Sequence, residues 1–535
     1  MEATYMSLLY PTEESRLAHV EGGLTPAISE EVCEQLGLSS LFALKGGSLT
    51  DFFTSDPAVI RYRAATLADM AASPVLSETL SALYPILADI EELRRLDRDR
   101  ADNAAESYLY SIAEIELYVS AVETLSHGLL PIADRLTSPA FRTLAAFVKD
   151  LTESEYYANL DASLKRLSSH ASEVHSVTIG VNLDGQFRPT EAGVLSLNTD
   201  TFKGGKMLDK ILRMSFKNDA MTCIAPLSPA GSGKSDNMDE AMVSAFRGAL
   251  DDVFRSSVRG WRAIVGTYVL EKTDFLLRLT HEIEFVLKAC ELKNRLVNKG
   301  CHLISPSIAP AEEKAFAAKG LYNPAVALRI EEAIVKNDLV LDQNARIYVL
   351  TGPNRGGKSV ITCAMGQAQA LFQLGMDVPA DEATLSPVDG IFTHFPEGAE
   401  DTTNKGRLGE ECARLREIFD AVTDRSMILL DESLSSTGAY EASYIASEIL
   451  TGFAVAGCRG LFSTHLHDLA SRVDELNARS LARGGVAIDT LVAGMEAGER
   501  SFLIHRAKPD GKSYARDIAD KYGLSLTEIE KRISR

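Results

Sequence analysis

Long apolar runs are missing from this sequence. No stretch approaches the roughly 20 consecutive apolar residues that a membrane-spanning helix needs, which argues against an integral helical membrane protein. The opening Met1-Glu-Ala-Thr-Tyr also lacks the basic and apolar pattern of a secretory signal. Cysteine is scarce: the seven (Cys33, Cys223, Cys290, Cys301, Cys363, Cys412, Cys458) are odd in number and scattered, with neither a disulfide framework nor zinc-ligand spacing. A reducing cytoplasm is the expected location. Positive charge is in deficit, 55 Lys and Arg against 75 Asp and Glu for a net −20, which excludes a general electrostatic grip on nucleic acid and leaves room only for a local basic face. What is present is ordinary globular material, 45% apolar and 24% charged over 535 residues. That length suggests about three or four compact units.

Residues 1–170 read as helices with little β content. Asp56-Pro57 opens one, with Ser55 or Asp56 as cap and Pro57 in the first turn, and Val59, Tyr62, Leu67 and Met70 at helical spacing. Further helices are expected near 75–95, 103–127, 138–150 and 157–172. A small β insertion follows at about 176–200: Ser176-Val-Thr-Ile-Gly-Val-Asn-Leu, the hairpin signal Asp184-Gly185, then Gly193-Val-Leu-Ser-Leu-Asn. Lys203, Lys206, Lys210, Arg213 and Lys217 recur at helical spacing, either as a basic face or as a solvated helix face. A long helical arm is expected over about 238–298, and Pro306 and Pro310 mark a boundary after it.

The most informative stretch is 346–360. The apolar run Ile347–Leu350 leads into Gly352-Pro353-Asn354-Arg355-Gly356-Gly357-Lys358-Ser359, and an apolar helical pattern begins at Val360. This is a phosphate-binding loop in strand–loop–helix context. Glycines let successive backbone N–H groups converge on phosphates and the helix N-terminus adds positive charge. Lys358 reaches the β and γ oxygens, and the Ser359 hydroxyl ligates Mg²⁺. A partial copy at 228–235, Ser-Pro-Ala-Gly-Ser-Gly-Lys-Ser, has Ser228 in place of the first glycine and an acidic continuation that repels phosphate, so it reads as a loop.

Two downstream pieces fit the first. Met427-Ile-Leu-Leu-Asp431-Glu432 is a buried-strand pattern ending in two acids, the first suited to hold Mg²⁺ and the second to polarise an attacking water. Leu461-Phe-Ser-Thr-His465 is another apolar strand ending in a histidine that can sense a γ-phosphate, whereas His467 reads as structural.

These residues, in this order, resemble the ATPase domain of the MutS DNA mismatch repair family. The resemblance rests on Thr351–Ser359, Lys336-Asn337-Asp338, Val378-Pro379-Ala380, Ile391-Phe-Thr-His, Gly398-Ala-Glu-Asp401, Gly406-Arg407, Asp431-Glu432 with Thr437, Ser463-Thr-His465 and Gly511-Lys-Ser-Tyr514-Ala515. It covers about 320–535 and extends more weakly to 1–320. It implies an α/β ABC-type P-loop ATPase domain at 321–535, ending in a dimerising helix–turn–helix, preceded by a mainly helical core and lever region at 1–320. It further implies ATP and Mg²⁺ as cofactors and a homodimer in which Lys405–Glu411 completes the partner's site. DNA of mismatched or branched shape is the implied partner, with a ribonucleoprotein such as a ribosome, or a nucleotide-switched scaffold, as alternatives.

The departures are specific. Leu408-Gly409-Glu410-Glu411 stands where the family usually places a Ser-Thr-Phe run, and Ser433-Leu-Ser-Ser replaces a glycine-rich stretch after the acidic pair. No counterpart of the family's Phe-x-Glu mismatch wedge is expected: the only such triplet, Phe395-Pro-Glu397, falls in the ATPase half.

Overall fold

The computed structural model of the protein describes residues 5–99, 104–162, 176–186, 189–198, 225–226, 274–396, 406–496, 499–508, 522–524 and 526–533. The chain divides into two units rather than three or four. One is Pro74–Leu136 with Phe141–Ile283, and the other joins Met1–Ser73, Thr137–Ala140 and Glu284–Arg535. The number is low because the N-terminal 73 residues fold with the C-terminal half instead of forming a body of their own.

The first unit is built on helices Pro74–Asp99 and Ala104–Leu129. Leu76, Leu80, Leu83, Leu87 and Ile90 are buried, and so are Ile115, Tyr118, Val122, Leu125 and Leu129. Both series alternate steps of three and four, the spacing of a coiled-coil seam, so the pair packs as a heptad hairpin. Gly128 marks where the helices come closest, since a Cβ there would lie 2.0 Å from the Thr79 hydroxyl. Arg94 spans from Glu114 to Asp274, at 2.7 Å to each.

The β insertion forms as a hairpin of β1 (Ser176–Leu183) and β2 (Pro189–Asn198), extended by the short β3 (Ala225–Pro226). Asp184 shapes the turn by accepting the Gln186 N–H at 2.8 Å. Of the long arm, the helix Asp274–Asn298 is described. Residues 238–273, the basic positions 203–217 and the loop 228–236 lie outside the described residues. No described helix is long and apolar enough to cross a membrane.

The strands of the second unit are, in chain order, β4 (Ser307–Ile308), β5 (Phe316–Leu321), β6 (Asn337–Leu341), β7 (Ile347–Thr351), β8 (Glu382–Leu385), β9 (Ile391–His394), β10 (Met427–Asp431), β11 (Arg459–Ser463), β12 (Ile488–Glu496) and β13 (Glu499–Arg506). Six form a sheet in the order β13-β12-β7-β11-β10-β9, parallel except for β13, and four form a smaller mixed sheet, β4-β8-β5-β6. Every residue of β7, β10 and β11 is buried, as expected for parallel strands covered on both faces. On one face Val349, Ile428, Leu430 and Phe462 pack with Leu450 and Phe453 of helix Ala439–Ala456. On the other, Leu429 meets helix Lys358–Gln373 at Gly366, where a Cβ would come within 2.7 Å of it.

Helix Lys358–Gln373 is covered on its far side by the N-terminal segment. Gln367 donates to the Leu36 carbonyl at 2.7 Å, and Gln373 donates to the carbonyls of Thr54 and Val388 at 3.1 and 2.9 Å. Buried glutamines thus clasp loop backbone whose carbonyls need partners. Arg459, buried at the start of β11, ties the two sheets by donating to the carbonyls of Ala315, Ser386 and Pro387. Burial, reinforced by the Arg346 charge and only partly opposed by Asp389, pushes its guanidinium down to about 9.

Within the same unit Asp69, on helix Pro57–Ala72, accepts the backbone N–H groups of Thr137 and Ser138 and the Thr137 hydroxyl. Burial would raise its carboxyl, but these donors outweigh burial and hold it below the usual range. Asp69→Ala is expected to lower unfolding stability by about 1–3 kcal/mol at neutral pH, read as a denaturant midpoint shift. A depressed folded-state pKa contributes stability above the unfolded value and loses it as pH falls through the folded value. The gap between wild type and variant should therefore narrow in acid.

Candidate functional site

The site is set by where β7 sits. With β11 on one side and β12 on the other, the chain leaves β7 at a point where the strand order reverses, and such points open a crevice at the carboxyl ends of the strands. The loop 352–357 lies there. Gly352 and Gly357 have φ of 141° and 90°, and Arg355 is also left-handed at 60°. A Cβ on Gly352 would come within 2.7 Å of Ala493, and one on Gly356 within 2.9 Å of the Pro353 carbonyl. Only glycine fits at either position. Asn354 and Arg355 are exposed at the loop tip, and Val360 is exposed on the first turn of the helix.

Lys358 opens helix Lys358–Gln373 with only 4% of its surface exposed, and its ammonium bends back to the carbonyls of Gly352 and Pro353 at 3.3 and 3.2 Å. Burial pulls its pKa below the ordinary lysine value, while Glu432 and Asp431 pull it up. Asp431, the last residue of β10, is in register with Ser463 of β11 and accepts the hydroxyls of Ser463 and Ser359. Burial raises its carboxyl, the two hydroxyls and Lys358 lower it, and neighbouring Glu432 raises it further, with a net upward shift.

Glu432 turns out of the strand with φ of 48° and donates its N–H to the Ser463 carbonyl at 2.9 Å. Its carboxylate meets the His465 Nε2 at 2.7 Å, both side chains being about a third exposed. His465 is presented because Thr464 continues the β11–β7 pairing through its N–H to Leu350. The structure therefore gathers Lys358, Ser359, Asp431, Glu432 and His465 at one end of three adjacent strands. His467 instead starts the next short helix and is exposed.

A cavity of about 580 Å³ opens beside the loop, reaching from Lys358 and Ser359 to an apolar wall of Ile334, Val335, Val360 and Phe502. Phe502 contributes an aromatic side chain to this lining; it is itself left-handed at φ 57° and is pinned by Asn337, which donates to its carbonyl at 3.1 Å. The sequence offered no signal for Phe502, which lies far downstream on an antiparallel edge strand. Ile334-Val335 directly precedes the motif Lys336-Asn337-Asp338 and carried no signal of its own.

The segment expected to reach a partner's site begins the helix Gly406–Ala421, with Arg407 exposed and Glu411 turned inward. The Glu411 carboxylate accepts the Leu434 N–H and the Ser436 hydroxyl, and burial raises its pKa against them. Lys405, Gly398–Asp401 and Gly511–Ala515 lie outside the described residues.

Fold and site together define an α/β protein whose glycine loop, two adjacent acids and a histidine converge at the carboxyl edge of a largely parallel sheet. Comparison with known proteins specifies it further. Residues 348–519 match MutS domain V, and residues 55–299 match the MutS2 N-terminal domain. The chain belongs to the MutS family. It is 32% identical over 218 residues to the DNA mismatch repair protein MutS of Chloroflexus aurantiacus, covering 39% of this chain and 21% of that protein. With the protein of the same name from Symbiobacterium thermophilum it shares 32% over 218 residues, covering 40% and 24%. With that of Synechococcus sp. CC9902 it shares 34% over 211 residues, covering 38% and 22%. The chain thus spans less than a quarter of the length of these curated relatives.

Proposed function

We propose that this protein is a MutS-type ATPase, in which binding and hydrolysis of Mg²⁺-ATP control the grip of a homodimer on DNA. The observation that carries the reading is the convergence of a buried lysine, paired acids and a histidine around a loop that admits no Cβ at Gly352 or Gly356. In this reading residues 321–535 form the ATPase and residues 1–320 the core and lever.

The loop from Gly352 to Val360 binds the phosphates through its backbone N–H groups, Pro353 having none to give, and Lys358 turns from its two carbonyls to the β and γ oxygens. The cavity walled by Phe502, Ile334 and Val335 takes the base. The donor set suits Mg²⁺: Ser359 and Asp431 supply adjacent hard oxygens, and no group of three or more His, Cys, Asp or Glu able to hold a metal occurs among the described residues. A site of one or two protein oxygens completed by phosphate and water is the arrangement Mg²⁺ favours over an all-protein cage. When bound, Mg²⁺ neutralises charge developing on the phosphate oxygens. Glu432 accepts a proton from the attacking water, and His465 orients that carboxylate through their hydrogen bond. The start of helix Gly406–Ala421, bearing Arg407, is the surface that faces the partner's nucleotide.

DNA as the controlled partner follows from the relatives' identity as DNA mismatch repair proteins. The heptad hairpin and the arm beyond it are the elements that transmit the nucleotide state, and mismatched or branched DNA is the preferred form.

Glu432→Gln is expected to lower kcat by about 100-fold or more while leaving ATP affinity intact; hydrolysis at the wild-type rate would remove Glu432 as the base. Steady-state hydrolysis should rise with mismatched duplex or a four-way junction above the level given by matched duplex. Stimulation by ribosomes and by no DNA would replace DNA with a ribonucleoprotein as the partner.

A further inference from the structure

The turn after Glu432 holds an arrangement with no assigned role. Glu432 and Leu434 are both left-handed non-glycine residues, at φ 48° and 65°, two positions apart. Such backbone is sterically disfavoured and persists only where its surroundings over-determine it. Here they do so from three sides. The Leu434 side chain, 1% exposed, is sunk in the core beneath helix Ala439–Ala456. Glu411 accepts the Leu434 N–H and the Ser436 hydroxyl. Between them stands Ser433, buried against His394 at the end of the edge strand β9.

The Ser433–His394 contact is reciprocal. The serine hydroxyl donates to the His394 carbonyl at 3.1 Å and lies 2.8 Å from the His394 Nδ1. A hydroxyl has one proton, so if it goes to the carbonyl, Nδ1 must be the donor in the second bond. The imidazole is then the Nδ1–H tautomer, with a lone pair on Nε2 that is buried and finds no partner. Burial and the nearby Arg414 charge keep the ring neutral, pushing it down to about 4. As a packing element His394 is a poor choice, because leucine would fill the space without stranding a nitrogen. What histidine provides and leucine cannot is a donor to Ser433.

We propose that His394 is a positioning residue for Glu432: by holding Ser433 it fixes the left-handed turn that presents the Glu432 carboxylate to the site. The inference rests on the reading of Glu432 as the hydrolytic base. Without the donor from His394, the backbone at Glu432 is free to relax toward negative φ and its carboxylate leaves the line set by His465. The loop meets this end of β10 through Asp431, whose place is set by its pairing with Ser463 rather than by Ser433, so nucleotide binding should change little.

The test compares His394→Leu, His394→Asn and Ser433→Ala in the full chain by steady-state ATP hydrolysis, with hydrogen exchange at the amides of residues 433–437. His394→Leu and Ser433→Ala are each expected to lower kcat about tenfold or more with KM for ATP within about twofold, since small misplacements of a catalytic group cost that much. The double variant should be no slower than either single. His394→Asn, whose amide nitrogen takes the place of Nδ1, should recover most of the rate. Exchange at the turn should accelerate in His394→Leu, with or without nucleotide. Wild-type kcat and unchanged exchange in both single variants would overturn the proposal. So would a loss in which kcat, KM and melting temperature move together and asparagine gives no rescue, the mark of a purely structural role. A wild-type protein with no ATP turnover at all would instead sink the ATPase reading, and this inference with it.

Discussion

A buried ammonium is the constraint on which the rest of this structure depends. Lys358 is almost wholly removed from water at the start of a helix, with two loop carbonyls as its direct acceptors among the described residues. A charge so placed is costly unless something opposite in sign stands near. The opposing charge comes from Asp431 and Glu432, which belong to another strand, so β7 and β10 must hold their carboxyl ends together. β11 does this by pairing with both, residue by residue, from Gly460 to Ser463. Gly460 permits that pairing, because a Cβ there would sit 1.9 Å from the Ile428 carbonyl oxygen. Partial compensation also leaves the lysine below its ordinary pKa. In the proposed reading, a triphosphate supplies the negative charge that the protein alone does not.

How much of this could be read from the chain depends on the range of the interaction. β7, its loop, β10 and β11 were legible because each is written locally: a short apolar run, then glycines, two acids, or Thr-His. The hairpin at 184–185 and the helix boundaries at Asp56-Pro57 were legible for the same reason. The wrapping of helix Lys358–Gln373 by the N-terminal segment was not, since Gln367 and Leu36 are joined by one hydrogen bond across more than three hundred residues. Residues 5–56 accordingly fold as loops and short helices rather than the regular helices expected across 1–170. Phe502 escaped for a similar reason, because an aromatic on an exposed edge strand carries no pattern that marks it as a cavity wall.

The departure from the family pattern after the acidic pair has a structural counterpart. Where a glycine-rich stretch is usual, this chain places Leu434 in the left-handed conformation glycine would adopt without strain. The leucine offsets the strain by burying its side chain in the core. The turn is therefore stiffened by packing rather than loosened by glycine, and Glu411 joins it to the helix that begins at Gly406. Glu432, the proposed base, and the surface proposed to meet a partner thus share one connection.

The central claim is that the loop beside Lys358 binds a nucleoside triphosphate with Mg²⁺. Isothermal titration of ATP into the full-length protein, with and without Mg²⁺, tests it most directly when run beside Lys358→Ala. The account predicts one ATP per chain in the wild type, weakened by chelating Mg²⁺, and no measurable binding to the variant. Equal binding by both proteins, or no binding by the wild type, would contradict it.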